Sequence, residues 1–162
     1  SGALARSWCS VQEALLVASR FGMNVTVARP EGYDLDPQVY EWTRQNCAEN
    51  GTRFQVTNDP DAAYDGVHVV YSRNWVTPEA YQDGAFQKKA EQEKAKAIPG
   101  WITNAERMAR SENAIFTHPM PIDRGMEVTD AIASGPRSAI YDIAENRLHV
   151  QKAVMALTMG NI

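Results

Sequence analysis

No apolar run in this sequence approaches the roughly 20 residues that cross a bilayer as a helix, so no membrane partner is expected. The first residues, SGALARSW, lack the long apolar core of a signal peptide. A cytoplasmic location is therefore expected. A basic excess is also missing: the 162 residues carry a formal charge of −4 and no Lys/Arg stripe, which argues against a protein that wraps nucleic acid. Cysteine is scarce. Cys9 and Cys47 stand far apart with no CxxC partner, and each falls in a helical pattern; they read as reduced thiols of a helix face or core ahead of metal ligands or nucleophiles. Repeats, low-complexity segments and a second domain boundary are absent too. What remains, 44% hydrophobic and 22% charged, is one ordinary globular domain large enough to bury a core.

The segments that are present alternate. Apolar residues recur at helical spacing from Trp8 to Phe21, with Gly22 as a stop, and MNVTVARP follows as a short β-branched run. The unit repeats with Asp36 as N-cap, Pro37 at the first helical position, a helix to about Asn50, Gly51 as terminator and the strand RFQVTN. DPDAAYDG reads as a short helix and VHVVYS as a strand apolar enough to be central. From Pro78 to Pro99 the chain is polar and lysine-rich, a solvated helix or loop, with an active-site flap as the sharper alternative. A short helix near Thr103 to Arg110 with a Thr-x-x-Glu capping box, the strands AIFTH and RSAIY, and a last helix from about Ile143 to Thr158 complete the order. The fold class is α/β, a three-layer, Rossmann-like sandwich with a mostly parallel sheet. In that class a strand normally opens the domain, whereas this chain enters a helix from a polar loop; it reads as truncated on its N-terminal side.

Ligands of a parallel α/β sheet sit beyond the carboxyl ends of its strands, which selects three loops. Ser72 to Thr77 offers Arg73 and Trp75, a cation and an aromatic two apart, although an arginine at a strand end is more often a surface charge. His118 to Asp130 offers a histidine with Pro119, Met120 and Pro121. Prolines there leave carbonyls able to accept from an amine, while the histidine suits a structural role as well as a catalytic one. Tyr141 to Arg147 offers Arg147 near a helix start, where guanidinium and backbone N–H groups suit phosphate oxygens; the alternative is a surface ion pair with Glu145 or Asp142.

In their order these stretches resemble the second, amino-acceptor-binding half of the aspartate/ornithine carbamoyltransferase superfamily. SRFGMNVTVARPEGYDLDP resembles its helix, strand and "P-x-G-Y" stretch, and DGVHVVYSRNW its strand and Trp loop. FTHPMPIDRGMEVTD resembles its "H-C-L-P-x-x-R-G-x-E-V-T-D" loop, and AENRLHVQKA its closing helix. Residues 1–162 are then the acceptor-binding domain, with the carbamoyl-phosphate motifs of the first half absent from this chain. The resemblance implies transfer of a carbamoyl group from carbamoyl phosphate to an amino-acid-type amine, with no metal or cofactor, in a homotrimer with shared sites. It assigns His118, Pro119 and Met120 to the carbamoyl group and attacking amine, and Arg147 to carbamoyl phosphate. Arg73, Trp75, Arg124 and Glu127 fall on the acceptor side.

Two departures bear on the acceptor. Pro119 stands where the ornithine enzymes have Cys, and Arg73 where they have Asp, which resembles the Lys-x-Trp of the knotted branch acting on N-acylated ornithines. Plain ornithine is disfavoured, because its α-ammonium would meet Arg73. Glu127 replaces a lysine of the acetylornithine branch, which sets this chain apart from that substrate as well. A knotted loop is expected before Trp8. The alternatives are an ornithine enzyme with an altered loop and a non-catalytic binding relative.

Overall fold

The computed structural model describes residues 8–80 and 87–160. The segment before Trp8, where the knotted loop is expected, and part of the Pro78–Pro99 stretch lie outside the described residues.

A helix feeds a strand twice in the first part of the chain. Helix α1 (Cys9–Arg20) turns Leu15 and Ser19 inward. Gly22, at φ 73, then redirects the backbone into β1 (Val25–Ala28) through a conformation that suits a residue without Cβ. Helix α2 (Pro37–Glu49) begins as its sequence dictates: the Asp36 carboxylate accepts the Gln38 N–H at 2.8 Å, and Pro37 occupies a position where an N–H would have no partner. Strand β2 (Phe54–Thr57) pairs parallel with β1, Val25 opposite Phe54. Leu15, Val25, Leu35, Tyr40 and Cys47 form the core between helices and strands.

The second part holds a 3-10 turn at Ala62–Tyr64, β3 (Val69–Tyr71), α3 (Lys88–Lys96), α4 (Ala105–Ala109), β4 (Ile115–Thr117), α5 (Asp130–Ala133) and α6 (Ile140–Met159). Strands β3 and β4 pair parallel, with Val70 opposite Phe116. Both point into a core shared with Met108, Ala114, Val128, Ala133 and Ile140. The expected α/β architecture with parallel strands is present, as two two-stranded pieces, β1–β2 and β3–β4.

Several expectations need correction. The strand expected at RSAIY shrinks to one parallel bridge, Phe116 to Ser138, held by Phe116 N–H to Arg137 O at 2.7 Å and Ala139 N–H to Phe116 O at 2.9 Å. The chain turns helical at Ile140, because Gly135 and Pro136 leave only a few residues before α6 takes over. The capping box at Thr103 does not form. Asn104 caps α4 through Arg107 N–H at 2.9 Å, while Thr103 is drawn into a bridge to Val128. Strand β3 is covered on one face only: alternate side chains leave opposite faces of a strand, so Val70 is buried while Val69 and its partner Ile115 stay 49% and 45% exposed.

Candidate active site

Tyr71 pairs with Thr117, so the carboxyl ends of β3 and β4 lie side by side and their following loops start from one place. A buried carboxylate joins these loops. Glu127 is 3% exposed; its Oε1 accepts the Asn74 N–H at 2.8 Å and its Oε2 the Asp123 N–H at 2.7 Å. Asn74 Nδ2 also donates to Asp123 Oδ2 at 2.7 Å. Burial tends to raise the Glu127 carboxyl, but the His118 side chain and the N–H groups of Asp123 and Asn74 outweigh burial and hold it below its ordinary value. Glu127 therefore stays ionised and organises both loops.

His118 is wholly buried. Its Nδ1 accepts the Met120 N–H at 3.0 Å, so the proton of a neutral ring sits on Nε2. That nitrogen lies 3.1 Å from Glu127 Oε2, at an angle short of a true hydrogen bond. The ring thus engages the loop through Nδ1 and faces Glu127 with Nε2, and Pro119 and Met120 beside it are both half-buried. Met120 adopts φ 55 and precedes a cis bond to Pro121.

Arg147 lies on the exposed surface of α6, seven residues past its first residue, so the helix N-terminus does not share its ligand as the sequence suggested. Its Nη1 instead reaches to 3.4 Å from Pro119 O, while Glu145 faces His149 at 3.3 Å. The Tyr141–Arg147 stretch is helix, not loop, for the reason given for RSAIY.

Arg73 keeps Nε and Nη1 away from solvent without a hydrogen-bond partner. Unpaired buried donors are costly, and an anionic or carbonyl ligand would relieve them. Trp75 beside it packs tilted on Tyr33 with ring centroids 5.0 Å apart and edge-on to Trp101 at 6.3 Å. Arg124 turns to its own loop, donating to Asp130 at 3.1 Å and Ser134 at 2.8 Å. The structure therefore gathers Arg73, Trp75, His118, Pro119, Met120, Glu127 and Arg147 at one end of β3 and β4, and turns Arg124 to the two ends of α5, Asp130 and Ser134. The reading of the sequence passed over Asn74 and Glu91, which is 1% exposed and bonded to Thr77. For Asn74 its place beside Arg73 was the available signal; Glu91 had none inside a lysine-rich stretch.

A family model described as "Aspartate/ornithine carbamoyltransferase, Asp/Orn binding domain" matches residues 4–158. An ornithine carbamoyltransferase of Thermococcus kodakarensis is 40% identical over 155 residues, 94% of this chain and 47% of the relative. An N-acetylornithine carbamoyltransferase of Xanthomonas campestris pv. campestris is also 40% identical, over 91% of this chain and 42% of its own length. Among solved structures, an acetylornithine transcarbamylase complexed with acetylcitrulline superposes with TM-score 0.83 at 35% identity, covering 97% of this chain and 46% of that one. The chain spans about half the length of the curated relatives it matches. No helix among the described residues is long and apolar enough to cross a membrane. With its matched region extending from residue 4 to 158, the chain belongs to the aspartate/ornithine carbamoyltransferase family, as its aspartate/ornithine-binding domain.

Proposed function

We propose that this chain is the acceptor-binding domain of a cytoplasmic, homotrimeric carbamoyltransferase that moves the carbamoyl group of carbamoyl phosphate to the amine of an amino-acid-type acceptor. The amine nitrogen forms a bond to the carbamoyl carbon, the bond from that carbon to the phosphate oxygen breaks, and the proton lost by the amine leaves with phosphate or solvent. Arg147 steadies the phosphate or the carbamoyl oxygen, where a fixed cation stabilises charge developing in the transition state. Pro119 and its neighbouring carbonyls orient the attacking amine. His118 holds that loop through Nδ1, which accepts the Met120 N–H.

The observation that carries this reading is the approach of Arg147 Nη1 to 3.4 Å from Pro119 O. It joins an anion-binding cation to the carbonyl-bearing loop, two features far apart in sequence. On the acceptor side, the unpaired donors of Arg73 suit a carboxylate or acyl oxygen, and Trp75 with Tyr33 and Trp101 suits an apolar stem. An N-acylated ornithine or a related acceptor without a free α-ammonium meets both. The equal 40% identity to an ornithine and an N-acetylornithine enzyme leaves this selection to the site itself.

The test is acceptor-dependent phosphate release from carbamoyl phosphate by the full-length parent protein. Release that needs an amine acceptor, and that falls about 10²- to 10³-fold in Arg147→Ala, is expected; turnover unchanged by that substitution would remove Arg147 from the reaction.

A further inference from the structure

We infer that Glu91 of α3 is a positioning residue of the loop after β3: with Glu127 it holds the segment Asn74–Thr77 at both ends and so sets where Arg73 and Trp75 stand. The inference rests on the reading that this loop forms the acceptor side of the site.

Helix α3, KKAEQEKAK, is lysine-rich and mostly exposed, yet Glu91 and Ala95, one turn apart, are 1% and 2% exposed. Burying a carboxylate is costly unless donors surround it, and here they do. Glu91 Oε2 accepts the Thr77 N–H at 2.6 Å, and Oε1 accepts the Thr77 hydroxyl at 2.8 Å and Lys94 Nζ at 2.8 Å. Lys94 also donates to Thr77 Oγ1 at 3.0 Å, closing a ring of contacts around one threonine. Burial tends to raise the Glu91 carboxyl, but Lys94 and the two Thr77 donors outweigh burial and keep it below its ordinary value, so it is charged at neutral pH.

The other end of the segment is fixed by Glu127 at the Asn74 N–H. Between the two anchors Val76 is buried against Ala80 and Trp8, and its carbonyl accepts the Trp8 indole N–H at 3.3 Å. Trp75 stands between Tyr33 and Trp101. The two carboxylates come from elements 36 positions apart in sequence (127 − 91), so this loop takes its place from both. Helix α3 is a fastener of the site rather than an idle solvated helix.

The experiment compares Glu91→Gln with the unchanged protein in two readouts. In the 162-residue chain, hydrogen exchange of the Thr77 amide is followed by NMR beside the Phe116 amide, which reports the core, and the Trp75 indole resonance. In the full-length parent, KM is measured for acceptor and for carbamoyl phosphate. Exchange at Thr77 is expected to quicken at least about tenfold with Phe116 unchanged and the Trp75 resonance shifted, because a glutamine retains only one acceptor oxygen. Acceptor KM should rise several-fold while that for carbamoyl phosphate holds. Glu93→Gln, whose carboxylate meets Lys96 on the helix surface, should change none of these. Unchanged exchange at Thr77 overturns the tether whether or not the parent transfers carbamoyl groups. Faster exchange with both KM values unmoved overturns the positioning role. A parent silent with every acceptor counts against the carbamoyl-transfer reading alone, and the exchange and indole signals then decide the tether. Should Glu91→Gln fail to fold, Glu91→Asp, whose shorter side chain withdraws the carboxylate from both the Thr77 N–H and its hydroxyl, is read in the same way.

Discussion

Glu127 shows how much one buried side chain can organise. It takes backbone N–H groups from two loops that are 49 residues apart (123 − 74) and faces the ring of His118. Its folded pKa lies below the ordinary glutamate value of 4.5 even though burial pushes the other way. A carboxyl depressed on folding adds stability that is present above its unfolded pKa and lost as pH falls through its folded one. Urea titrations at a series of pH values should therefore find the unchanged protein more stable than Glu127→Gln at neutral pH, with the gap closing below about pH 4.5. A gap independent of pH would mean that the charge of Glu127 is not what the loops use. His118 was legible as the residue that follows β4, but its orientation was not. Whether a histidine faces ligand or protein depends on the Met120 N–H and on Glu127, nine positions away (127 − 118).

At the scale of elements, local signals were the readable ones. Asp36, Pro37 and Gly51 bracket α2 because capping and helix termination are decided within a few residues. Asp36→Ala should accordingly cost about 1 kcal/mol, measured as a lower urea midpoint with an unchanged slope; no loss would mean that the bond to Gln38 N–H is not formed in solution. RSAIY misled because its composition suits a strand, while its state is settled by a contact with Phe116 and by the early start of α6. Thr103 misled in the same way: its capping pattern with Glu106 was real in the sequence, but Tyr64 and Ser72 claim its hydroxyl and Asn104 takes the cap. The burial of Glu91 was hidden for the converse reason, since a lysine-rich helix gives no hint that one carboxylate meets Thr77.

Across the whole molecule, the two halves of the parallel arrangement do different work. The β1–β2 part, with its own core, carries the Tyr33 side of the aromatic group, and the β3–β4 part carries the charged loops. Arg73 lies between these roles, a half-buried cation with unpaired donors one residue before Asn74 and two before Trp75. On the proposed function, acceptor choice would rest with Arg73, and the full-length parent allows a direct test. The measurement is kcat/KM for N-acetylornithine, N-succinylornithine and ornithine, by the unchanged protein and by Arg73→Asp. The account predicts preference for an N-acylated acceptor in the unchanged protein, at least a tenfold loss of it in Arg73→Asp, and a relative gain for ornithine, whose α-ammonium would then meet a carboxylate. Identical acceptor KM values and an unchanged order of preference in the two proteins would contradict it.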